Sequence, residues 1–191
     1  MLSDQQRWNQ RYAEPEKSPV ADSFLIEAFE RWIAPHFPRG GHALDLAGGR
    51  GQNSIYLLER GWQATLVDIS DVAIRDARTT ATTSGFSINC EAADASDFLG
   101  RPKEKIFDLI MVFFFLDRTL WPGIRRVMRS GSMLVYKTYT TENLRYGGGP
   151  RNPDYLLQSG ELREEFADFE VLHSRETNSA PAVAELVAIH R

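Results

Sequence analysis

One cysteine, Cys90, stands among 191 residues. That excludes a disulfide framework within the chain and a metal site built from several of its cysteines. Long hydrophobic runs are missing too. The longest strictly apolar stretch, Leu109 to Leu116, falls far short of the roughly 20 residues a helix needs to cross a bilayer, so no membrane partner is expected. There is no strong excess of charge of one sign: 22 Lys and Arg against 26 Asp and Glu leave a net charge of −4. A general polyanion-binding surface is disfavoured, and no nucleic-acid partner is expected. His36, His42, His173 and His190 show no ligand spacing, so no metal is expected. The opening Met1 to Gln6 lacks a basic cluster followed by an apolar run; no signal peptide is expected and the expected location is cytoplasmic. Internal repeats and low-complexity linkers are also lacking. One domain over 1–191 is therefore expected, with a helical cap over 1–36 and a core over 42–191, as a monomer or homodimer.

Strand-like and helix-like segments alternate along the chain. Ser18-Pro19 looks like a helix start, and Val20, Phe24, Ala28 and Trp32 follow at helical spacing before Pro35 and the turn Pro38 to Gly41. Strands are expected at His42 to Leu46, Gln63 to Val67, Ser87 to Glu91, Ile106 to Phe115 and Ser132 to Tyr139. The intervening helices are expected at Gln52 to Arg60, Asp71 to Thr83 and Leu120 to Arg129, with a further helix near Glu161 to Phe166. The last two strand-like segments, Phe169 to Arg175 and Val183 to His190, are joined by a short turn and can pair only antiparallel. The pattern predicts an α/β fold: a Rossmann-like, doubly wound seven-stranded sheet, mostly parallel, with one antiparallel strand near the C-terminus. Cys90 falls in a strand-like run and reads as a small buried hydrophobe.

The most informative stretch is Asp45-Leu46-Ala47-Gly48-Gly49-Arg50-Gly51. A buried strand runs into a glycine turn and then a helix, which is how open parallel sheets present nucleotide cofactors. The acid indicates which cofactor. A dinucleotide offers a pyrophosphate that a carboxylate at the strand tip would repel, whereas S-adenosylmethionine carries an ammonium and a sulfonium that favour one. The dinucleotide fingerprint also fails on spacing, since its third glycine position is Ser54. A second acid, Asp68, ends the next strand at about the interval where a ribose-binding carboxylate follows a glycine loop. Capping of the following helix, the other role open to such an acid, is already supplied by Ser70 and Asp71.

DLAGGRG, TLVDIS, EAADASDF and FDLIMVFFFLD together resemble successive motifs of the class I S-adenosylmethionine-dependent methyltransferases. WNQRY and LDRTLWPGIRRVMRSGSMLVYKTYT are similar, more narrowly, to small bacterial tellurite-resistance and thiol-methyltransferase-type enzymes. The resemblance implies S-adenosylmethionine as cofactor, in contact with Asp45, Ala47, Gly48, Gly49, Gly51 and Asp68. It implies that Asp94 and Ala95 meet the adenine and that the Phe113 carbonyl accepts from the methionine ammonium; Asp94 could equally be a solvated turn acid, and Ile69 reads as packing against the adenine face. Asn53 and Ser54 could reach the methionine end or simply cap a helix. Trp8, Arg11 and Tyr12 share one helical face. Trp8 reads as packing, Arg11 as a partner for the methionine carboxylate and Tyr12 as a neighbour of the sulfonium.

The loops after the fourth and fifth strands offer a wall for the methyl acceptor. Asp117, Arg118 and Trp121 follow the fourth; Tyr139, Arg145, Tyr146, Arg151, Asn152 and Tyr155 follow the fifth, around the hinge-like Gly147-Gly148-Gly149-Pro150. No general base stands out, and the catalytic residue is unassigned. Asn152-Pro153-Asp154-Tyr155 departs from the N-P-P-Y signature of amino-group methyltransferases at Asp154 and reads as a turn. Arg118, Arg125 and Arg129 read as the solvated outer face of one helix. Lys137 stands where the resembled enzymes often carry an acid. The expected activity is methyl transfer to a small-molecule acceptor, a thiol or chalcogen first. The alternatives are a nicotinamide-dependent oxidoreductase and a cofactor-binding regulatory protein without turnover.

Overall fold

The computed structural model describes residues 2–14, 20–101 and 106–191. The chain divides into two compact units, residues 1–104 and 105–191.

In the first unit, α1 (Asp4–Ala13) starts at a capping box. The Ser3 hydroxyl accepts from the Gln6 amide and the Gln6 side chain accepts from the Ser3 amide, satisfying two donors that a helix start leaves free. The next helix begins later than the sequence suggested. Ser18 and Pro19 lie outside the described residues, Val20 is 82% exposed, and the cap is Asp22, which accepts from Phe24 N at 2.8 Å. From there α2 (Ser23–Ala28) passes through a π turn (Phe29–Ile33) into α3 (Ala34–His36), burying Phe24, Leu25, Ala28 and Ile33. Strands β1 (His42–Leu46), β2 (Gln63–Asp68) and β3 (Asn89–Ala92) pair in parallel. They alternate with α4 (Gln52–Leu58), α5 (Asp71–Thr83) and α6 (Ala95–Gly100). Leu66, Ile74, Ala77 and Cys90 form one apolar cluster here, so the lone cysteine is a core residue.

In the second unit, β4 (Phe107–Phe113) is buried throughout. A 3-10 turn (Arg118–Leu120) and α7 (Trp121–Val127) connect it to the parallel strand β5 (Met128–Tyr139). Two further 3-10 turns (Thr141–Arg145 and Pro153–Tyr155) and α8 (Glu161–Glu165) precede β6 (Glu170–Glu176) and β7 (Val183–Ile189). β7 is antiparallel to both β5 and β6, as its short connection to β6 requires. Across the sheet the strand order is β3-β2-β1-β4-β5-β7-β6, seven strands with β7 reversed.

The sequence reading extended the helix after β4 to Arg129. The structure ends it at Val127, because Met128 and Arg129 already belong to β5. The three arginines therefore do not share a helical face, and each meets a carboxylate: Arg118 meets Glu161, Arg125 meets Glu165 and Asp168, and Arg129 meets Asp108. Among the described residues no helix is long and apolar enough to cross a membrane, and no group of three or more His, Cys, Asp or Glu side chains is placed to hold a metal.

Candidate functional site

The glycine loop after β1 is held by two carboxylates from adjacent parallel strands. Asp45 is 1% exposed, and its Oδ2 accepts from the Ser54 hydroxyl at 2.8 Å. Among the described residues its Oδ1 has no hydrogen-bond partner. The loop turns directly over this group: a Cβ on Gly48 would lie 2.6 Å from the Asp45 carboxylate carbon, so only glycine fits. Burial pushes the Asp45 carboxyl up to about 7, the repulsion of Asp68 adds to this, and the hydrogen bond from Ser54 opposes it. Asp68, at the end of β2, accepts from Gly49 N and Ser70 N, each at 2.9 Å. Burial raises its pKa as well, against the pull of those two amides. Ser70 itself caps α5 by accepting from Ala73 N, which leaves Asp68 to fix the glycine loop onto the adjoining strand.

Ala47 has φ 54°, a left-handed conformation that a Cβ makes costly. Replacing it with glycine is expected to stabilise the protein by roughly 0.5–1 kcal/mol, net of the greater entropy of the unfolded glycine. Urea unfolding checks this, and a lower midpoint for Ala47→Gly would contradict it.

The face of α1 named from the sequence does reach the loop. The Tyr12 hydroxyl occupies the place next to Gly49, where a Cβ would come within 2.6 Å of it. Trp8 stacks on Tyr12 at 5.8 Å between ring centres, and Arg11, exposed, lies over Trp8. Asn9 and Gln5 bind the start of α5: Asn9 accepts from the Ser70 hydroxyl at 2.7 Å, and Gln5 donates to Asp71 at 3.1 Å. The sequence reading missed the principal tie, Arg50. Its guanidinium donates to the carbonyls of Tyr12 and Glu14 at 2.6 and 2.7 Å, pairs with Asp76 at 3.0 Å and lies 5.4 Å over the Tyr12 ring. An arginine between two glycines of the loop was the available signal.

Other cofactor candidates of this unit have structural partners. The Asn53 side chain accepts from Asp22 N at 2.9 Å, tying α4 to the start of α2. Asp94 is exposed and caps α6, accepting from the amide and hydroxyl of Ser96. Ile69 is half-buried just after β2, and Ala95 is buried at the start of α6.

In the second unit, Phe113 ends β4 and is buried, while Phe114, at φ 54°, is 40% exposed. Phe114 N donates to the Lys137 carbonyl at 2.8 Å. The Phe114 and Tyr139 rings meet at 5.1 Å with their planes tilted by 44°. Gly149 lies against Tyr139, where a Cβ would stand 2.9 Å from the ring. The other acceptor-wall candidates of this unit have partners of their own or are exposed. Asp117 caps the 3-10 turn through Thr119. Arg118 grips Glu161 at 2.5 and 2.8 Å together with the carbonyls of Asp154 and Leu156, so it organises the loop. The Tyr146 hydroxyl donates to the Asn178 carbonyl, and Arg151 and Tyr155 are exposed.

A seven-stranded sheet with a reversed penultimate strand, together with a glycine loop set on two buried carboxylates, is the arrangement of a Rossmann-like methyltransferase fold. Comparison with known proteins agrees. Residues 43–132 match the family model described as "Methyltransferase domain". The tRNA 5-carboxymethoxyuridine methyltransferase of Escherichia coli (strain K12) is 29% identical over 134 residues, covering 67% of this chain and 51% of that protein. The chain thus spans about half the length of the curated relatives it matches. TehB from Haemophilus influenzae superposes with a TM-score of 0.73 at 16% identity, covering 96% of this chain and 67% of that one. Magnesium protoporphyrin IX methyltransferase from Synechocystis PCC 6803, solved with bound SAH, gives 0.70 at 15% identity, with 97% and 93% covered. The methyltransferase family model thus covers just under half of the chain, and the fold is that of the class I S-adenosylmethionine-dependent methyltransferases.

Proposed function

We propose that this chain transfers a methyl group from S-adenosylmethionine to a small-molecule acceptor, with residues 1–191 working as one methyltransferase domain. The family match runs from 43 to 132, across the boundary between the two compact units, which supports that domain assignment. A single observation carries the cofactor reading: among the described residues the buried Asp45 carboxylate has one oxygen without a partner, beneath a loop shaped by Gly48. A buried, incompletely satisfied carboxylate suits a cation and repels a phosphate.

S-adenosylmethionine, when bound, supplies an electrophilic methyl on a sulfonium and a neutral thioether leaving group. Asp45 answers the positive charge of the methionine portion, directly or through water. Asp68, whose oxygens each keep a second lone pair beyond the amides of Gly49 and Ser70, accepts from the ribose hydroxyls. The backbone of Ala47, Gly48, Gly49 and Gly51 passes under the ligand, with Ser54 orienting Asp45. Ile69, Asp94 and Ala95 serve the adenine, and Asn53, Arg11 and the Phe113 carbonyl the methionine portion. Tyr12, Asp117, Arg118, Tyr139, Tyr146, Arg151 and Tyr155 are the proposed acceptor residues. Of these, Arg118 acts by holding the loop at 154–161. The chain then positions the acceptor and excludes water, which is sufficient for an acceptor already ionised at neutral pH.

A thiol or chalcogen is the first acceptor class to assay, in the cytoplasm as the expected setting. A second reading, a modified RNA nucleoside, rests on the tRNA-directed relative at 29% identity. Isothermal titration is expected to show micromolar binding of S-adenosylhomocysteine and none of NAD(P)H. The reverse result would establish the oxidoreductase alternative. Transfer of labelled methyl to small molecules but not to bulk tRNA separates the two acceptor readings. Tight cofactor binding with no transfer to any acceptor would support a regulatory protein.

A further inference from the structure

Within the second unit one row of paired residues crosses all four strands. Phe113 on β4 pairs with Lys137 on β5, Lys137 with Glu185 on β7, and Glu185 with Arg175 on β6. Directly paired residues project from the same face of a sheet, and Tyr139, two residues beyond Lys137, shares that face. Lys137 and Glu185 are both buried, at 8% and 3% exposed, with Nζ to Oε1 at 3.6 Å. Arg175 makes the tighter contact, with two guanidinium nitrogens on Glu185 Oε2 at 2.7 and 2.9 Å, and His173 stands 4.0 Å from the same oxygen. One carboxylate thus meets both the lysine and the arginine. The Lys137 ammonium lies 5.4 Å from the centre of the ring of the partly exposed Phe114, which in turn meets the Tyr139 ring at a tilt.

Stability alone does not account for this arrangement. A buried ion pair rarely outperforms apolar residues of the same size, and the neighbouring β5 positions Met133, Leu134 and Val135 are apolar and fully buried. A bulky residue in the left-handed region, such as Phe114, adds strain of the kind found where a ligand is gripped. The position fits too. Lys137, Phe114 and Tyr139 cluster at the carboxyl ends of the parallel strands β4 and β5, the end at which open sheets take their ligands.

We infer that Lys137, Phe114 and Tyr139 form a specificity site for a free planar acceptor bearing a carboxylate, with the anion against Lys137 and the plane against the two rings. This inference rests on the proposed methyl-transfer reading and narrows its acceptor. The carboxylate is a binding handle here, so no proton or bond changes at Lys137.

The test begins with S-adenosylhomocysteine titrated into the full chain; failure at that step removes the methyl-transfer reading itself. With that cofactor product bound, ligand-observed NMR measures salicylate, cinnamate and indole-3-acetate against their neutral amides. The expected result is at least tenfold tighter binding of an acid than of its amide, a preference lost in Lys137→Met with S-adenosylhomocysteine affinity unchanged, and partly restored in Lys137→Arg. Phe114→Ala, a change at a partly exposed residue that provides a second variant should Lys137→Met fail to fold, is expected to weaken acids and amides alike by about tenfold. Equal binding of acids and amides, an acid preference that survives Lys137→Met, indifference to Phe114→Ala, or binding of tRNA with none of the acids overturns the inference.

Discussion

Asp45→Asn is expected to make the ligand-free protein more stable at pH 8 and to weaken S-adenosylmethionine binding by at least tenfold. The first half follows from the raised pKa. An aspartate near 3.8 in the unfolded chain and at about 7 in the fold is protonated folded and ionised unfolded between those values. The fold then binds more protons, so stability falls as pH rises from about 4 to about 7 and is flat above. The loss sums to about 4 kcal/mol across that window. Asparagine keeps an acceptor for the Ser54 hydroxyl and removes the buried charge, while its N–H groups need partners at a cost of about 1–3 kcal/mol. A net gain of about 1–3 kcal/mol at pH 8 corresponds to several degrees in the thermal midpoint. The second half follows from linkage: a cationic ligand favours the ionised carboxylate, so wild-type affinity is expected to climb with pH up to about 7 and then level. The variant should lose both the climb and the plateau affinity. Calorimetric titrations and thermal melts at pH 5.5 to 8.5 check both. A destabilised variant that binds cofactor normally would remove Asp45 from the site.

Asp68→Ala is expected to weaken cofactor binding by roughly 1.5–3 kcal/mol, about 10- to 150-fold, through loss of charged hydrogen bonds to the ribose. Its effect on the fold is separate. Without the carboxylate, Gly49 N and Ser70 N lose their acceptor where the loop is buried, and a further loss of about 1–3 kcal/mol in unfolding free energy is expected. Urea unfolding measures the second effect and isothermal titration on the folded variant the first. Unchanged affinity would leave Asp68 with only its role in the loop.

The parallel strands and the glycine loop were legible in the sequence because their signals are local. Buried parallel strands read as continuous apolar runs, and Asp45 to Gly51 concentrates its meaning in seven consecutive residues. Boundaries were less legible where two signals compete. Ser18-Pro19 carries the stronger sequence signature of a helix start, yet the side chain that caps is Asp22, itself held by Asn53. Arg118, Arg125 and Arg129 have helical spacing, but β5 takes Arg129 and each finds a carboxylate far along the chain. Arg118 and Asp94 suit ligands by residue type alone. What they do in the fold depends on partners that appear only once loops and caps have formed. Arg50 and the row through Lys137 were hardest to read. Both depend on register or docking between distant segments, which composition and periodicity do not encode.

Arg50 fastens the end of α1 by binding two main-chain oxygens, those of Tyr12 and Glu14. At residue 14, where the arginine binds the main-chain oxygen, such an attachment is indifferent to the identity of the side chain. Mutational drift at residue 14 can change the surface of this arm freely, whereas loss of the guanidinium leaves the arm to the lighter ties of Gln5 and Asn9 to the start of α5. One arginine thus lets the arm vary in what it displays while staying moored beside the glycine loop.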